Sequence, residues 1–121
     1  MSDRERLASV LRKSGNSVTT QRVRVFDALS EAGQPMSVRD LCQRVETVDK
    51  ASVYRIIALF ERLDIVHRVW TGFKSKIELS DAFSPHHHHF TCVSCGMTES
   101  ISSESLEREL EAVARDQGFS L

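Results

Sequence analysis

The segment from His86 to Cys95 contains most of the metal-binding side chains of this chain. It holds four of the five histidines and two of the three cysteines, and Gly96 follows directly. Imidazole nitrogens and thiolate sulfurs are the protein ligands that zinc and its neighbours in the transition series prefer. The composition of this segment therefore predicts metal binding. The role of the metal depends on the elements that position these side chains.

Cys92 and Cys95 have the spacing that lets two thiolates hold one Zn²⁺ across a tight turn. Tetrahedral zinc needs four ligands, so the pair alone does not complete a site. The same spacing occurs in thioredoxin-like redox proteins, where a helix begins at the motif. Here the flanking residues are typical of strands, which favours metal binding over the redox alternative.

The histidine run predicts two metal sites. Side chains alternate along an extended chain, so His86 and His88 face one side, and His87 and His89 face the other. The alternative interpretation of the run is a solvated polar loop.

Acidic and imidazole side chains elsewhere could complete these sites. Glu78 and His67 lie on the two strands of a predicted hairpin and could complete one site, and Glu107 on a predicted helix could complete the other. A metal that joins hairpin and histidine run would favour one conformer, which is how metal binding becomes a switch. For His67 the alternative is an exposed histidine on a surface strand.

The N-terminal part of the chain predicts several short helices followed by a two-stranded hairpin. Apolar residues recur at helical spacing and then change to the alternation of strands. This order is that of a winged helix-turn-helix, whose last helix before the wing enters the DNA major groove. The predicted helices cover 4–13, a stretch from Thr19 or Thr20 to Gly33, 37–45 and 50–63, and the predicted strands cover 65–70 and 76–79.

The predicted fourth helix carries polar side chains at its start, namely Lys50, Ser52, Tyr54 and Arg55. Its apolar stripe leaves Ser52 and Arg55 to face outward. Arg55 could form two parallel hydrogen bonds to guanine, and Tyr54 could contact a thymine methyl group or a phosphate. Further cations could neutralise phosphates; these are Arg22, Arg24, Arg68, Lys74 and Lys76. For any single Lys or Arg, the alternative is an ordinary solvated basic face.

The C-terminal part predicts two short strands, 90–93 and 98–101, and a helix from Ser102 or Ser103 to about Gln117. Leu106, Leu110 and Val113 lie on one face of that helix. A thin layer of strands with one helix cannot close a core by itself. We therefore expect a two-fold homodimer, which also suits a protein that reads a palindromic double-stranded DNA operator.

The composition favours a cytoplasmic protein. The chain has 121 residues and a formal net charge of −1, without an apolar run long enough for a membrane span or a signal peptide. Residues 1–82 hold 14 basic and 11 acidic side chains, and residues 83–121 hold 2 and 6. This asymmetry suggests two modules with different partners.

The chain resembles the ferric uptake regulator family of metal-dependent repressors over nearly its whole length. The resemblance depends on Val18-Thr-Thr-Gln-Arg22, on Ser52-Val-Tyr-Arg55, and on the histidine run joined to Cys92-Val-Ser-Cys95-Gly96. It implies an α+β fold with a winged-helix DNA-binding domain at 1–81, a hinge at 82–85, and a dimerisation and metal-binding domain at 86–121. It also implies that Thr19, Gln21 and Arg22 join the polar residues of the fourth helix at the DNA.

The resemblance also implies a function and a set of metal sites. The function is that of a homodimeric repressor that controls zinc or iron homeostasis genes, without enzymatic activity. Cys92 and Cys95 would hold a structural zinc. A hinge site would use His67, Glu78, His87 and His89, and another site would use His86, His88 and Glu107. The regulatory ion would be Zn²⁺, with Fe²⁺ or Mn²⁺ as alternatives.

Three departures from the family pattern affect these expectations. The sequence ends at Leu121, before the further histidine and second cysteine pair that the family usually has, so the structural zinc has two of its four ligands here. His88 stands where an aspartate is frequent, which favours the zinc-sensing branch. Ser17 replaces a basic residue, which removes an expected minor-groove contact. A peroxide or iron sensor of the same family and a metal-binding redox protein are the alternative functions.

Overall fold

The computed structural model describes residues 2–83 and 88–120 of the chain. The described part has the predicted α+β architecture, with helices first and two small antiparallel sheets after them. In chain order the elements are α1 (Asp3–Lys13), α2 (Thr20–Ala32), α3 (Val38–Arg44), α4 (Lys50–Arg62), β1 (Val66–Thr71), β2 (Lys74–Leu79), β3 (His88–Thr91), β4 (Thr98–Ile101) and α5 (Glu104–Asp116).

Each described helix begins at a residue whose side-chain oxygen accepts a hydrogen bond from a backbone N–H in the first turn. Such caps satisfy donors that have no partner inside the helix. Thr19 accepts from the backbone N–H of Arg22 at 3.2 Å, and Ser37 accepts from that of Asp40 at 3.1 Å. The other caps are Ser2, Asp49 and Ser103. The helix starts therefore follow from local sequence.

The hydrophobic core lies entirely in residues 2–83. Phe26 of α2 and Phe60 of α4 are its largest fully buried side chains, and Leu7 and Leu11 of α1 pack with them. The apolar stripe of α4 faces this core, as predicted. Its buried apolar members are Val53, Ile56, Ile57, Leu59 and Phe60.

Strands β1 and β2 pair antiparallel and form the hairpin that we call the wing. A backbone bridge between Met36 and Ile77 attaches the wing to the segment before α3. The register places His67 directly opposite Glu78. The strands extend closer to the tip than predicted, because Gly72 adopts a φ of +68° and lets the chain reverse within Gly72 and Phe73.

The C-terminal part contains β3 paired with β4, and α5 after them. Strand β3 begins earlier than predicted, at His88, and ends at Thr91. It ends there because residues 92–96 form a turn, in which the N–H of Gly96 donates to the carbonyl of Cys92 at 2.8 Å. Helix α5 buries none of its side chains.

The segment 80–83 packs against the N-terminal helices and is hydrogen-bonded to them. The Phe83 ring meets the Phe26 ring edge-on with a centroid distance of 5.2 Å, and the Arg6 guanidinium donates to the carbonyl of Ala82. The predicted hinge residues Ala82 and Phe83 are thus docked, and the other two, Ser84 and Pro85, lie outside the described residues. None of the helices in 2–83 and 88–120 is long and apolar enough to cross a membrane.

Candidate metal centre and nucleic-acid interface

The solvent-facing side of α4 carries three of its four predicted DNA-binding residues. Lys50, Tyr54 and Arg55 are exposed, and Tyr54 leaves 50% of its surface accessible. They are exposed because the opposite side of the helix supplies the apolar stripe to the core. An amphipathic helix of this kind can present polar side chains to a groove without losing its packing.

The prediction that Ser52 faces outward is wrong, since the exposed fraction of this residue is 8%. Its hydroxyl donates to Asp49 Oδ1 at 2.6 Å and accepts from Arg55 Nη2 at 3.0 Å. The hydrogen bond from the Ser52 hydroxyl, and then the one from the Ser52 backbone N–H, hold the pKa of Asp49 below its ordinary value. The Asp49–Ser52–Arg55 chain therefore orients the Arg55 guanidinium, and Ser52 acts on this face through Arg55.

A groove of about 530 Å³ runs between the start of α2 and the exposed side of α4. It brings together two motifs that lie 30 residues apart in sequence, because Thr19, Gln21 and Arg22 face Ser52 and Arg55 across it. Arg22 is held in place by a 2.6 Å hydrogen bond from its guanidinium to the carbonyl of Ser17.

The same groove is also lined by three polar residues that were not among the predicted DNA-binding residues, namely Asn16, Thr20 and Arg62. Arg62 lies seven residues after Arg55, which is two helical turns, so the helical period could have identified it. Asn16 belongs to the turn after α1, and no local pattern points to it.

Glu78 is the centre of a second cluster of polar side chains, which includes two histidines. Its side chain is 8% exposed, and its Oε1 lies 2.7 Å from His67 Nε2. His89 Nε2 lies 3.1 Å from the same carboxylate. One buried carboxylate thus connects an imidazole of the wing with an imidazole of β3.

This cluster contains three of the four residues predicted for the hinge site. His87, the fourth, lies outside the described residues. Two imidazoles and one carboxylate are donors that zinc, iron and manganese accept, so the chemistry of the set fits such an ion. Within 2–83 and 88–120, no group of three or more His, Cys, Asp or Glu side chains is already arranged to hold a metal ion.

His88 and Glu107 form a separate pair, in which His88 Nε2 lies 2.6 Å from Glu107 Oε1. Both side chains are about one-third exposed. His88 and His89 therefore contact different carboxylates, those of Glu107 and Glu78, as the alternation along β3 predicts. His86, the third residue predicted for this site, lies outside the described residues.

Cys92 and Cys95 are exposed at the two ends of the turn after β3. The backbone N–H of Cys95, and then that of Ser94, lower the pKa of the Cys92 thiol because they donate to the thiolate. The thiolate is the form that binds metal. The turn therefore suits the predicted role of this pair as zinc ligands, while the two further ligands are not identified.

The fold and these sites define a winged-helix protein joined to a small sheet-and-helix module with imidazole, carboxylate and thiol donors. The model of the ferric uptake regulator family matches residues 13–121. The chain is 35% identical over 119 residues to the ferric uptake regulation protein of Pseudomonas aeruginosa, covering 93% of this chain and 87% of that protein. The chain belongs to the ferric uptake regulator family.

Solved structures of related proteins have the same fold. The ferric uptake regulator from Pseudomonas aeruginosa with manganese superposes with a TM-score of 0.74 at 33% identity, covering 93% of this chain and 87% of that one. A zinc-bound manganese uptake regulator gives a TM-score of 0.70 at 26% identity, covering 95% and 89%.

Family membership fixes the broad function. Proteins of this family are metal-responsive transcription regulators that bind DNA and function as dimers. The predictions of a DNA-binding regulator and of a protein that is not an enzyme are thereby confirmed.

Proposed function

We propose that this chain is a metal-dependent repressor of zinc or iron homeostasis genes, which binds a palindromic operator as a homodimer. The observation that carries the proposal is the Glu78 carboxylate, which receives His67 from the wing and His89 from β3. These three residues belong to the two parts of the chain that a hinge would connect. A ligand that binds them together would set the pose of the wing relative to the histidine run.

The regulatory ion would be held by His67, Glu78 and His89, together with His87. The imidazole nitrogens and the carboxylate oxygens would donate lone pairs to the bound cation. Each imidazole must present an unprotonated nitrogen to the ion, so metal binding replaces the hydrogen bonds to Glu78. The ion acts as a switch only by binding one conformer better than another, and donors from two parts of the chain provide that difference.

Two further metal sites belong to this proposal. His88 and Glu107, with His86, would hold a second ion between β3 and α5. Cys92 and Cys95 would hold a structural zinc, since their turn favours a thiolate. Both sites would stabilise the C-terminal part, whose elements bury little surface of their own.

We infer zinc as the preferred regulatory ion, with Fe²⁺ and Mn²⁺ as alternatives. The proposed donor sets are rich in imidazole, which suits zinc but also iron. Related regulators are known with manganese and with zinc.

DNA recognition would use the exposed side of α4 and the groove beside it. Arg55, oriented by Ser52, would bond a guanine in the major groove, and Tyr54 and Lys50 would contact neighbouring positions. Thr19, Gln21 and Arg22 would contact the backbone at the start of α2. Two copies, joined through the apolar side of α5, would read the two halves of the operator.

Replacing Glu78 tests the switch. Glu78→Gln keeps the shape of the side chain but removes its negative charge, so we expect operator binding to need at least tenfold more Zn²⁺. The measurement is fluorescence anisotropy of a labelled duplex, selected from a random-sequence pool by the metal-loaded chain, during a metal titration. Glu99→Gln on the exposed side of β4 is the matched control. Identical metal titrations for both variants would remove Glu78 from the switch.

Replacing Arg55 tests the proposed role of α4 in DNA recognition. We expect Arg55→Ala to weaken binding to the selected duplex by about 1–3 kcal/mol, roughly 5- to 150-fold, because a bidentate contact to a base is lost. Zinc binding, measured by calorimetry, should stay unchanged. Arg12→Ala at the exposed end of α1 is the control for a lost positive charge. Normal affinity of Arg55→Ala would assign DNA recognition to other residues.

A further inference from the structure

The tip of the wing carries two aromatic side chains that no residue of the described chain covers. Phe73 is fully accessible, and Trp70 leaves 66% of its surface exposed. They lie on either side of Gly72, whose left-handed conformation makes the reversal tight. Two large apolar side chains at one exposed turn are a feature that the packing of the N-terminal part does not explain.

The charge of the wing tip points to a polyanionic partner. The hairpin carries three basic residues, Arg68, Lys74 and Lys76, and its only acidic residue is Glu78 at its base. Glu78 is buried against two imidazoles. Neither Lys74 nor Lys76 forms an ion pair with a residue in the described ranges. The tip therefore combines an apolar apex with available positive charge.

Hydrogen bonds between side chains also attach the wing to helix α4. Arg68 donates to both carboxylate oxygens of Glu61, in the last turn of α4, at 2.7 and 3.1 Å. Phe73 lies five residues beyond Arg68, and a strand advances about 3.3 Å per residue, so the tip projects roughly 15 Å from this anchor. That reach is enough to cross the sugar-phosphate backbone from the major groove to the adjacent minor groove.

We propose that the wing tip is a second DNA-binding element, which inserts Phe73 and Trp70 into the minor groove next to the major groove that α4 reads. The strand alternation places Lys74 and Lys76 on one face of the hairpin and Trp70 on the other. A hairpin in a narrow groove would thus direct its lysines at one phosphate wall and its tryptophan at the opposite wall. Phe73 at the apex would contact sugars and base edges as an apolar wedge.

This inference rests on the proposed use of α4 in DNA binding. It adds a recognition mode that depends on the deformability of the DNA, because an apolar wedge opens a base step most easily at flexible sequences. The wing would then contribute sequence preference outside the bases that α4 contacts.

Trp70 makes the test direct, because it is the only tryptophan in the chain. We expect saturation of the zinc-loaded protein with the selected duplex to shift Trp70 emission and to protect it from acrylamide quenching. Unchanged emission and unchanged quenching at saturating DNA would overturn the inference, and would leave the wing tip free for a protein partner.

Two substitutions at Phe73 test the wedge itself. We expect Phe73→Ser to weaken duplex binding about tenfold without altering its salt dependence, whereas Phe73→Leu retains most of the affinity because it keeps an apolar wedge. Lys74→Ala should instead lower the slope of log affinity against log salt by about 0.9. Wild-type affinity of Phe73→Ser would refute the wedge. If the unmodified chain bound no duplex, the inference and the proposed function would both fall; if it bound and the wing variants bound equally, only the inference would.

Discussion

Residues 2–83 bury twenty apolar side chains, whereas residues 88–120 bury none. Both parts contain amphipathic helices and a two-stranded sheet, so secondary structure does not account for the difference. In the N-terminal part, α1, α2, α4 and the wing meet around Phe26 and Phe60. In the C-terminal part, the apolar side of α5 has no layer to pack against within the described chain. The first part has a closed core, whereas the second has no core of its own within the described residues.

The apolar side of α5 shows what the C-terminal part needs. Leu106, Leu110 and Val113 on α5, and Phe119 just after its end, are between 36% and 70% exposed. Several of them line an apolar groove of about 860 Å³, with His88 and Glu107 at its edge. Burying such a surface in a homodimer would supply the core that this part lacks. The proposed ion at His88 and Glu107 would lie beside that interface.

Removing one phenylalanine from each part should give the largest difference in stability. We expect Phe60→Ala to lower the free energy of unfolding by about 3–5 kcal/mol, because it leaves a cavity in a closed core. Phe90→Ala, whose ring is already 66% exposed, should change it by less than about 0.5 kcal/mol. Urea unfolding measures both. Equal destabilisation by the two variants would show that the C-terminal part has a core of its own.

A charge on α5 tests the interface. We expect Leu110→Glu to weaken dimerisation by at least about 2 kcal/mol, roughly 30-fold in the dissociation constant, because a carboxylate would be buried in an apolar contact. Sedimentation equilibrium reports the effect. Arg108→Glu, an exposed change on the same helix, is the control. A Leu110→Glu variant that dimerises as tightly as the unmodified chain would place the interface elsewhere.

Ser80 lies near the end of the N-terminal part, and replacing it should have a smaller effect than Phe60→Ala or Leu110→Glu. Its hydroxyl is buried and has no hydrogen-bond partner in the described part of the chain. An unsatisfied buried hydroxyl is costly, so we expect Ser80→Ala to raise the free energy of unfolding by about 1 kcal/mol. Thermal unfolding would show a higher midpoint. A lower midpoint would mean that the hydroxyl does have a partner in the folded protein.

Local patterns were sufficient to predict much of the fold. The apolar period of α4, the starts of α2 and α3, and the alternation in the wing each depend on residues within one or two turns of each other. The end of β3 was misplaced, because the turn at residues 92–96 depends on backbone hydrogen bonds rather than on side-chain pattern. Ser52 was misjudged for a related reason, since a serine three residues after a capping aspartate can bond inward.

The candidate site was harder to predict than the fold, because it depends on packing between residues far apart in sequence. Spacing alone predicts that His88 and His89 point in opposite directions. It does not predict that His89 meets a carboxylate on β2, because that contact joins residues from two parts of the chain. Glu78 was anticipated through family resemblance and through its place opposite His67. Asn16 was missed because it enters the groove from the turn after α1, whose position relative to α4 only the fold determines. Arg62 was missed although it lies two helical turns after Arg55 on the same helix.

Confinement of the core to residues up to Phe83 has a consequence for biosynthesis. Domains fold as units, with N-terminal ones first as the chain emerges from the ribosome. The packing around Phe26 and Phe60 can therefore form before the cysteine turn and α5 have left the ribosome. The N-terminal part would then be folded before Cys92 and Cys95 become available to a metal ion.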